Sequence, residues 1–145
     1  MIKLRDYQTA LKAGLYTSWS QGNDNVMLVS PTGSGKTVVM SSIAADQTGP
    51  GVAIAHRVEL VGQISQAMAR MGIQHNIIGP TNTVTFCIRQ QIAELGSKFY
   101  NPNAKVTVAA VDTLKARSSK LQQWCAQQTW WMVDECFVAG TNIHM

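Results

Sequence analysis

The 145-residue chain reads as an α/β domain: a parallel sheet with helices on both faces. Two observations predict it. Short, continuous apolar runs alternate with segments whose apolar residues recur at helical spacing. Strands alternating with helices are joined by crossover connections, which make the strands parallel. The length and the 46% apolar content are enough for one domain with a real core, and too little for two.

Asp6 to about Trp19 is the first helix, because Leu11, Leu15 and Trp19 recur every four residues on one face. Gln21-Gly22-Asn23-Asp24 is a turn cluster that ends it. Val26 to Val29 is a buried strand, followed by a Gly-rich turn and a helix from about Lys36 to Asp46. Gly49-Pro50-Gly51 breaks the chain before a second strand, Val52 to Ala55. A helix from about Val58 to Met71 places Leu60, Ile64, Ala67, Met68 and Met71 on one side. Ile77-Ile78 is a third, short strand. Thr83 to Phe86 alternates like a strand, while Ile88 to Leu95 has helical spacing. Val106 to Val111 is a strand, one or two short helices lie between Thr113 and Gln127, and Trp130 to Val133 is the last strand. Trp124, Trp130 and Trp131 read as core, His75 as surface, and Cys87 and Cys125 as small buried apolar residues.

Composition excludes several classes. Charged residues are 14%, below the usual ~25%, so charge-driven disorder is excluded. No apolar run approaches the ~18 residues that a membrane span needs. Met1 to Asp6 has no apolar stretch behind its charges, so no secretory signal is expected. Cys87, Cys125 and Cys136 are widely spaced and fit neither a zinc pattern nor a disulfide framework, which suggests a reducing, cytoplasmic compartment. The net charge of +4 suits a polyanionic partner and equally an ordinary basic surface.

Three segments carry chemistry. Ser30-Pro31-Thr32-Gly33-Ser34-Gly35-Lys36-Thr37 closes a strand and opens a helix. Its glycines let the backbone wrap a phosphate, with N–H groups and the helix N-terminus facing the anion. Lys36 would reach the β- and γ-phosphates of ATP, and the Thr37 hydroxyl would bind Mg²⁺. A Gly-rich turn that merely caps a helix is the competing reading, and the strand–loop–helix order argues against it. Asp134-Glu135 follows the last apolar run, so it lies at a strand end. Asp134 would hold hydrated Mg²⁺ and Glu135 would activate the attacking water, whereas alone the pair would read as a solvated loop. Gln8, beside Arg5 before the first helix, offers a donor and an acceptor that match an adenine edge; a polar helix start capped by Asp6 is the plainer reading.

In this order the motifs carry a resemblance. Arg-x-Tyr-Gln, Pro-Thr-Gly-Ser-Gly-Lys-Thr, Ala-His-Arg-x-Glu-Leu-x-x-Gln, Ala-x-Val-x-Thr-Leu-x-x-Arg and Val-Asp-Glu-Cys resemble the DEAD/DEAH-box helicases of superfamily two, most closely the branch of restriction-type and phage double-strand DNA helicases and translocases. The likeness covers residues 1 to 135 and implies the first of two RecA-like domains of a P-loop NTPase. It implies adenine contacts from Arg5 and Gln8; phosphate contacts from Pro31, Thr32, Gly33, Ser34, Gly35, Lys36 and Thr37; Mg²⁺ at Thr37 and Asp134; and hydrolysis through Lys36, Asp134 and Glu135. It places His56, Arg57, Asp112 and Thr113 along a nucleic-acid backbone, where Arg57 and Thr113 can supply charge and hydroxyl contacts. DNA is the expected partner rather than RNA.

Two departures stand out. The chain stops just beyond Asp134-Glu135, without the second RecA-like domain and its arginine finger, so the domain is expected to be incomplete and inactive alone. The branch usually continues Asp-Glu-Cys-His, but here Phe137 follows Cys136, and Cys-Phe-x-x-Gly-Thr resembles the opening block of an intein. On that reading residues 136–145 begin an insert, and the Cys136 thiol is the splicing nucleophile. Two other functions compete with a helicase half. One is a RecA-like switch that holds ATP and nucleic acid without remodelling. The other is a non-helicase phosphate-loop enzyme, against which Arg5, Gln8 and the late acidic pair argue.

Overall fold

Short apolar strands need partners on both edges and cover on both faces, and the architecture meets both needs. A computed structural model describes residues 4, 6–22, 25–27, 36–133 and 138–140. In chain order these form α1 (Asp6–Ser20), β1 (Asn25–Met27), α2 (Lys36–Asp46), β2 (Gly51–Ala55), α3 (Val58–Arg70), β3 (Asn76–Ile78), α4 (Thr81–Leu95), β4 (Val106–Ala110), α5 (Val111–Ala116), α6 (Ser118–Ala126), β5 (Trp130–Val133) and β6 (Val138–Gly140). The 6-stranded sheet has the order β1-β6-β5-β2-β4-β3. Strands β5, β2, β4 and β3 are parallel, with Ala55 opposite Ala110 and Ile54 opposite Val133. Strand β6 runs antiparallel to both β5 and β1.

Residues alternate between the two faces with period two, as pleating requires. Ala53, Ala55, Val106, Val108, Ala110, Trp130 and Met132 face Leu15 of α1, Val39, Met40 and Ile43 of α2, Ile64 and Met68 of α3, and Cys87 of α4. The intervening Val52 and Ala109 face Leu114 of α5, with Ile54, Trp131 and, from α6, Leu121 and Trp124 packed around them. Helices therefore cover both faces, as the sequence predicts, and the three tryptophans pack rather than protrude. No helix among the described residues is long and apolar enough to cross a membrane.

The Gly49-Pro50-Gly51 breaker has a second role. The Trp130 indole lies where a side chain on Gly51 would stand, and its Nε1 donates to the Gly49 carbonyl at 2.9 Å. A Cβ at Gly51 would collide with the ring, so glycine is needed there for close approach.

Two expectations need correcting. The strand-like Thr83 to Phe86 is part of helix α4. Pro80 sits just before the first turn and accepts from the Thr83 and Val84 amides, and Gly96 ends the helix at φ 80°. Val84, Cys87 and Gln91 then share an inward face, so packing over α3 outweighs local β-propensity. His75 is not on the surface but fully buried. A turn at Gly72, with φ 73°, returns the chain beneath α3, and His75 bridges to Tyr100. A third element, β6, had no counterpart in the sequence reading; it falls on residues assigned there to an insert.

Candidate functional site

The carboxyl edge of the parallel strands brings two of the singled-out motifs together. Because Ala55 and Ala110 are in register, His56-Arg57 and Asp112-Thr113 leave the sheet side by side. Val133, the last residue of β5, is level with Ile54 of β2. Met27 and Val133 both lie opposite Val138, which makes β1 point the same way as β5. The chain thus leaves β1 toward that edge and returns as α2, beginning at Lys36. In an open α/β sheet this is where ligands bind. Arg5, Pro31 to Gly35, Asp134, Glu135 and Cys136 lie outside the described residues, as does the Lys36 side chain.

What is described is the start of α2 and its tether to α1. Thr37 is half-buried in the first turn of α2, whose leading amides have no partner within the helix. Its carbonyl accepts from Ser41 Oγ at 2.7 Å. Gln8 is 4% exposed on α1, and α1 is tied to α2 by Lys12, which donates to Ser42 Oγ at 2.6 Å and pairs with Asp46 at 2.5 Å. Tyr16 donates to Asp46 at 2.9 Å, and burial followed by that bond pushes its phenol well above the usual range. The helix bearing Gln8 is thereby anchored to the helix bearing Thr37.

Arg57 occupies the N-cap position of α3, with φ −123° and ψ 150°. Its carbonyl accepts from the Leu60 and Val61 amides, while its exposed guanidinium makes no cap bond. His56 and Asp112 are exposed and Thr113 half-buried. Among the described residues no cluster of three or more His, Cys, Asp or Glu is placed to hold a metal.

Sequence reasoning missed one feature. A cleft of about 330 Å³ opens between α2, α3 and α4, lined by Thr37, Glu59, Gly62, Gln63, Gln66, Arg70, Phe86 and Gln90, among others. A second hollow of about 390 Å³ shares Glu59, Gly62 and Phe86 and adds Val58. Gln66 is 3% exposed, yet neither its Nε2 nor its Oε1 has a hydrogen-bond partner. Such a group costs about 1–3 kcal/mol to bury. At the rim Arg70 donates twice to Glu94, at 2.7 Å each, and holds that carboxyl below its usual range, with Gln66 contributing from nearby. Phe86 is 61% exposed on the opposite wall. Gly62 inside α3 was the available sequence signal, since helix interiors disfavour glycine by about 1 kcal/mol.

A protein family described as type III restriction enzyme, res subunit, matches residues 1–142. The match continues past Cys136 and gives the intein reading no support. Among solved structures, a nuclease-deletion mutant of the type ISP restriction-modification enzyme LlaGI, in complex with a DNA substrate mimic, is similar in fold, with a TM-score of 0.64 at 14% identity. The alignment covers 92% of this chain and 15% of that one. A search of curated proteins finds no match.

Proposed function

Because the chain belongs to the family of the type III restriction enzyme res subunit, we propose that it is the ATP-binding half of a DNA helicase or translocase. The observation that carries the proposal is the shared edge. Strands β1, β2, β4 and β5 all end on one side of the sheet, where His56-Arg57 and Asp112-Thr113 follow β2 and β4. ATP chemistry and a nucleic-acid backbone can then meet across one crevice.

In this reading Arg5 and Gln8 recognise adenine, and the amides of Pro31 to Gly35 with Lys36 hold the phosphates. Thr37 and Asp134 would hold Mg²⁺, which would supply positive charge beside the phosphates. Glu135 orients the attacking water and takes its proton. His56, Arg57, Asp112 and Thr113 contact backbone phosphates. The DNA mimic bound by the similar solved enzyme supports DNA over RNA. This chain aligns with only 15% of that enzyme, so a second RecA-like domain is the proposed partner that completes catalysis. Cytoplasmic residence belongs to the same reading.

Calorimetric titration with MgATP tests it. Weak binding that Lys36→Ala abolishes is expected; binding unchanged in that variant rejects the phosphate loop. The isolated chain should show no DNA-stimulated turnover, since an arginine finger contributes about 10³–10⁵ in related hydrolases. Turnover that Glu135→Gln abolishes would show that this half suffices.

A second reading concerns residues 136–145 as the start of an intein. It rests on Cys136-Phe137-Val138-Ala139-Gly140-Thr141 and on Phe137 where the resembled branch has His, and the family match through residue 142 speaks against it. The coding sequence beyond Met145 decides it: helicase sequence resuming directly, with no Cys-His junction downstream, eliminates the insert.

A further inference from the structure

We propose that the cleft between α3 and α4, which Thr37 of α2 also lines, is a nucleobase site that receives a base with adenine's donor–acceptor edge. Three observations converge on it. Gln66 is buried at the cleft with both ends of its carboxamide unpartnered. A carboxamide left that way asks for a partner presenting one acceptor and one donor side by side. Adenine does so through N7 and N6, a pairing that Gln makes elsewhere in nucleic-acid recognition. An arginine or lysine side chain brings donors only and would leave Nε2 unpaired.

The second observation is shape. Phe86 is 61% exposed and lines both hollows, so it offers a flat apolar face at the mouth rather than in the core. Bases stack on such rings with little regard to sequence. Gly62 has nothing within 4 Å of where a Cβ would stand, so the wall facing the ring is open. The third observation is position. Val58 and Glu59, which line the hollows, directly follow His56-Arg57 in the chain. A base turned out of a strand held at Arg57, or the base of a free nucleotide, would reach the same mouth. Only the choice between those two sources rests on the proposed function; the cleft itself does not.

Side-chain amide NMR on the full chain, with adenosine as probe, reads the site directly. Adenosine lacks phosphates, so it tests the cleft without the phosphate loop. It is expected to shift the Gln66 Nε2 resonances. Phe86→Ala, at an exposed position, should weaken binding roughly tenfold through lost stacking. Gly62→Met should fill the opening and abolish binding without lowering the thermal midpoint. Gln66→Met should weaken binding while raising that midpoint, a pair of effects that misfolding cannot produce. Shifts with oligodeoxyadenylate alone assign the base to a strand, and shifts with adenosine alone assign it to a free nucleotide; either supports the site. Silence at Gln66 with both probes overturns the proposal. So does binding untouched by Phe86→Ala and Gly62→Met, or adenosine binding that Lys36→Ala removes. Failure of MgATP binding with the adenosine response intact would refute the phosphate-loop reading and leave the cleft standing.

Discussion

Ser65 and Gln66 are neighbours on α3, both buried, and they end in opposite states. Ser65 stands in the middle of a closed chain of hydrogen bonds. The Phe99 amide donates to Gln91 Oε1 at 2.8 Å, and Gln91 Nε2 donates to Ser65 Oγ at 2.8 Å. The hydroxyl donates to His75 Nε2 at 2.7 Å, and His75 Nδ1–H donates to the Ile73 carbonyl at 3.0 Å. The proton directions follow from the fixed ends: an amide starts the chain and a carbonyl closes it. One residue on, Gln66 has no partner at either end. The difference teaches that this layer can satisfy buried polar groups, which is the rule in native interiors. An open carboxamide beside a complete chain marks a place with another use.

The largest expected effect comes from cutting the closed chain. Ser65→Ala strands an acceptor on His75 and a donor on Gln91, at about 1–3 kcal/mol for each. The urea midpoint should fall by the corresponding amount with an unchanged slope; a loss below about 0.5 kcal/mol would mean the chain is idle. Next comes Gly51→Ala, which drives a methyl into the Trp130 ring on the closed side of the sheet. A loss of about 1–3 kcal/mol is expected, as for other overpacked cores. A smaller effect of opposite sign should follow Gln66→Met, about 1 kcal/mol of stabilisation, because it removes an unpaired buried amide at similar volume. If Gln66→Met destabilises as Ser65→Ala does, the contrast between the two residues collapses.

The closed chain also has a pH signature that the open cleft lacks. Burial lowers the His75 pKa from 6.5, against a smaller opposing effect of its bond to the Ile73 carbonyl. The unfolded chain therefore takes up this proton first as pH falls. Stability should decline as pH drops below about 6.5 and go on declining until the folded histidine titrates. Replacing His75 with Gln should flatten that part of a melting-temperature profile, while Gln66→Met should leave its shape unchanged. The least effect is expected from Arg70→Ala, whose exposed ion pair with Glu94 is screened by solvent.

The parallel sheet and its two helical layers were legible in the sequence because short apolar runs and helical periods repeat with clear punctuation. The ends of α2 and β5 are where the spacing puts them, from Lys36 to Asp46 and from Trp130 to Val133. The glycines, lysine and threonine of residues 33–37 can be read together because they are local in the chain, and their role as a phosphate loop is part of the proposal. Helix α4 was harder, since Thr83 to Phe86 suits either state and only contact with α3 decides. His75 was misread because its partners, Ser65 and Ile73, become partners only after the chain turns at Gly72. The open carboxamide of Gln66 was invisible for the same reason. A glutamine is unpaired only in relation to atoms far from it in sequence, and no local pattern reports that.

Strand β6 finally works as a gauge block. It is three residues long and stands between β1 and β5. Adjacent strands lie about 4.8 Å apart, so the two strand axes are held roughly 10 Å from each other. That spacing sets how far apart Met27 and Val133, the last described residues of the two strands, stand at the carboxyl edge. The width is kept by the backbone pairing of Val138, Ala139 and Gly140 with their neighbours on either side. Substitutions there that preserve pairing should leave the gauge intact, whereas a proline, which removes an amide from the ladder, would let β1 and β5 drift apart.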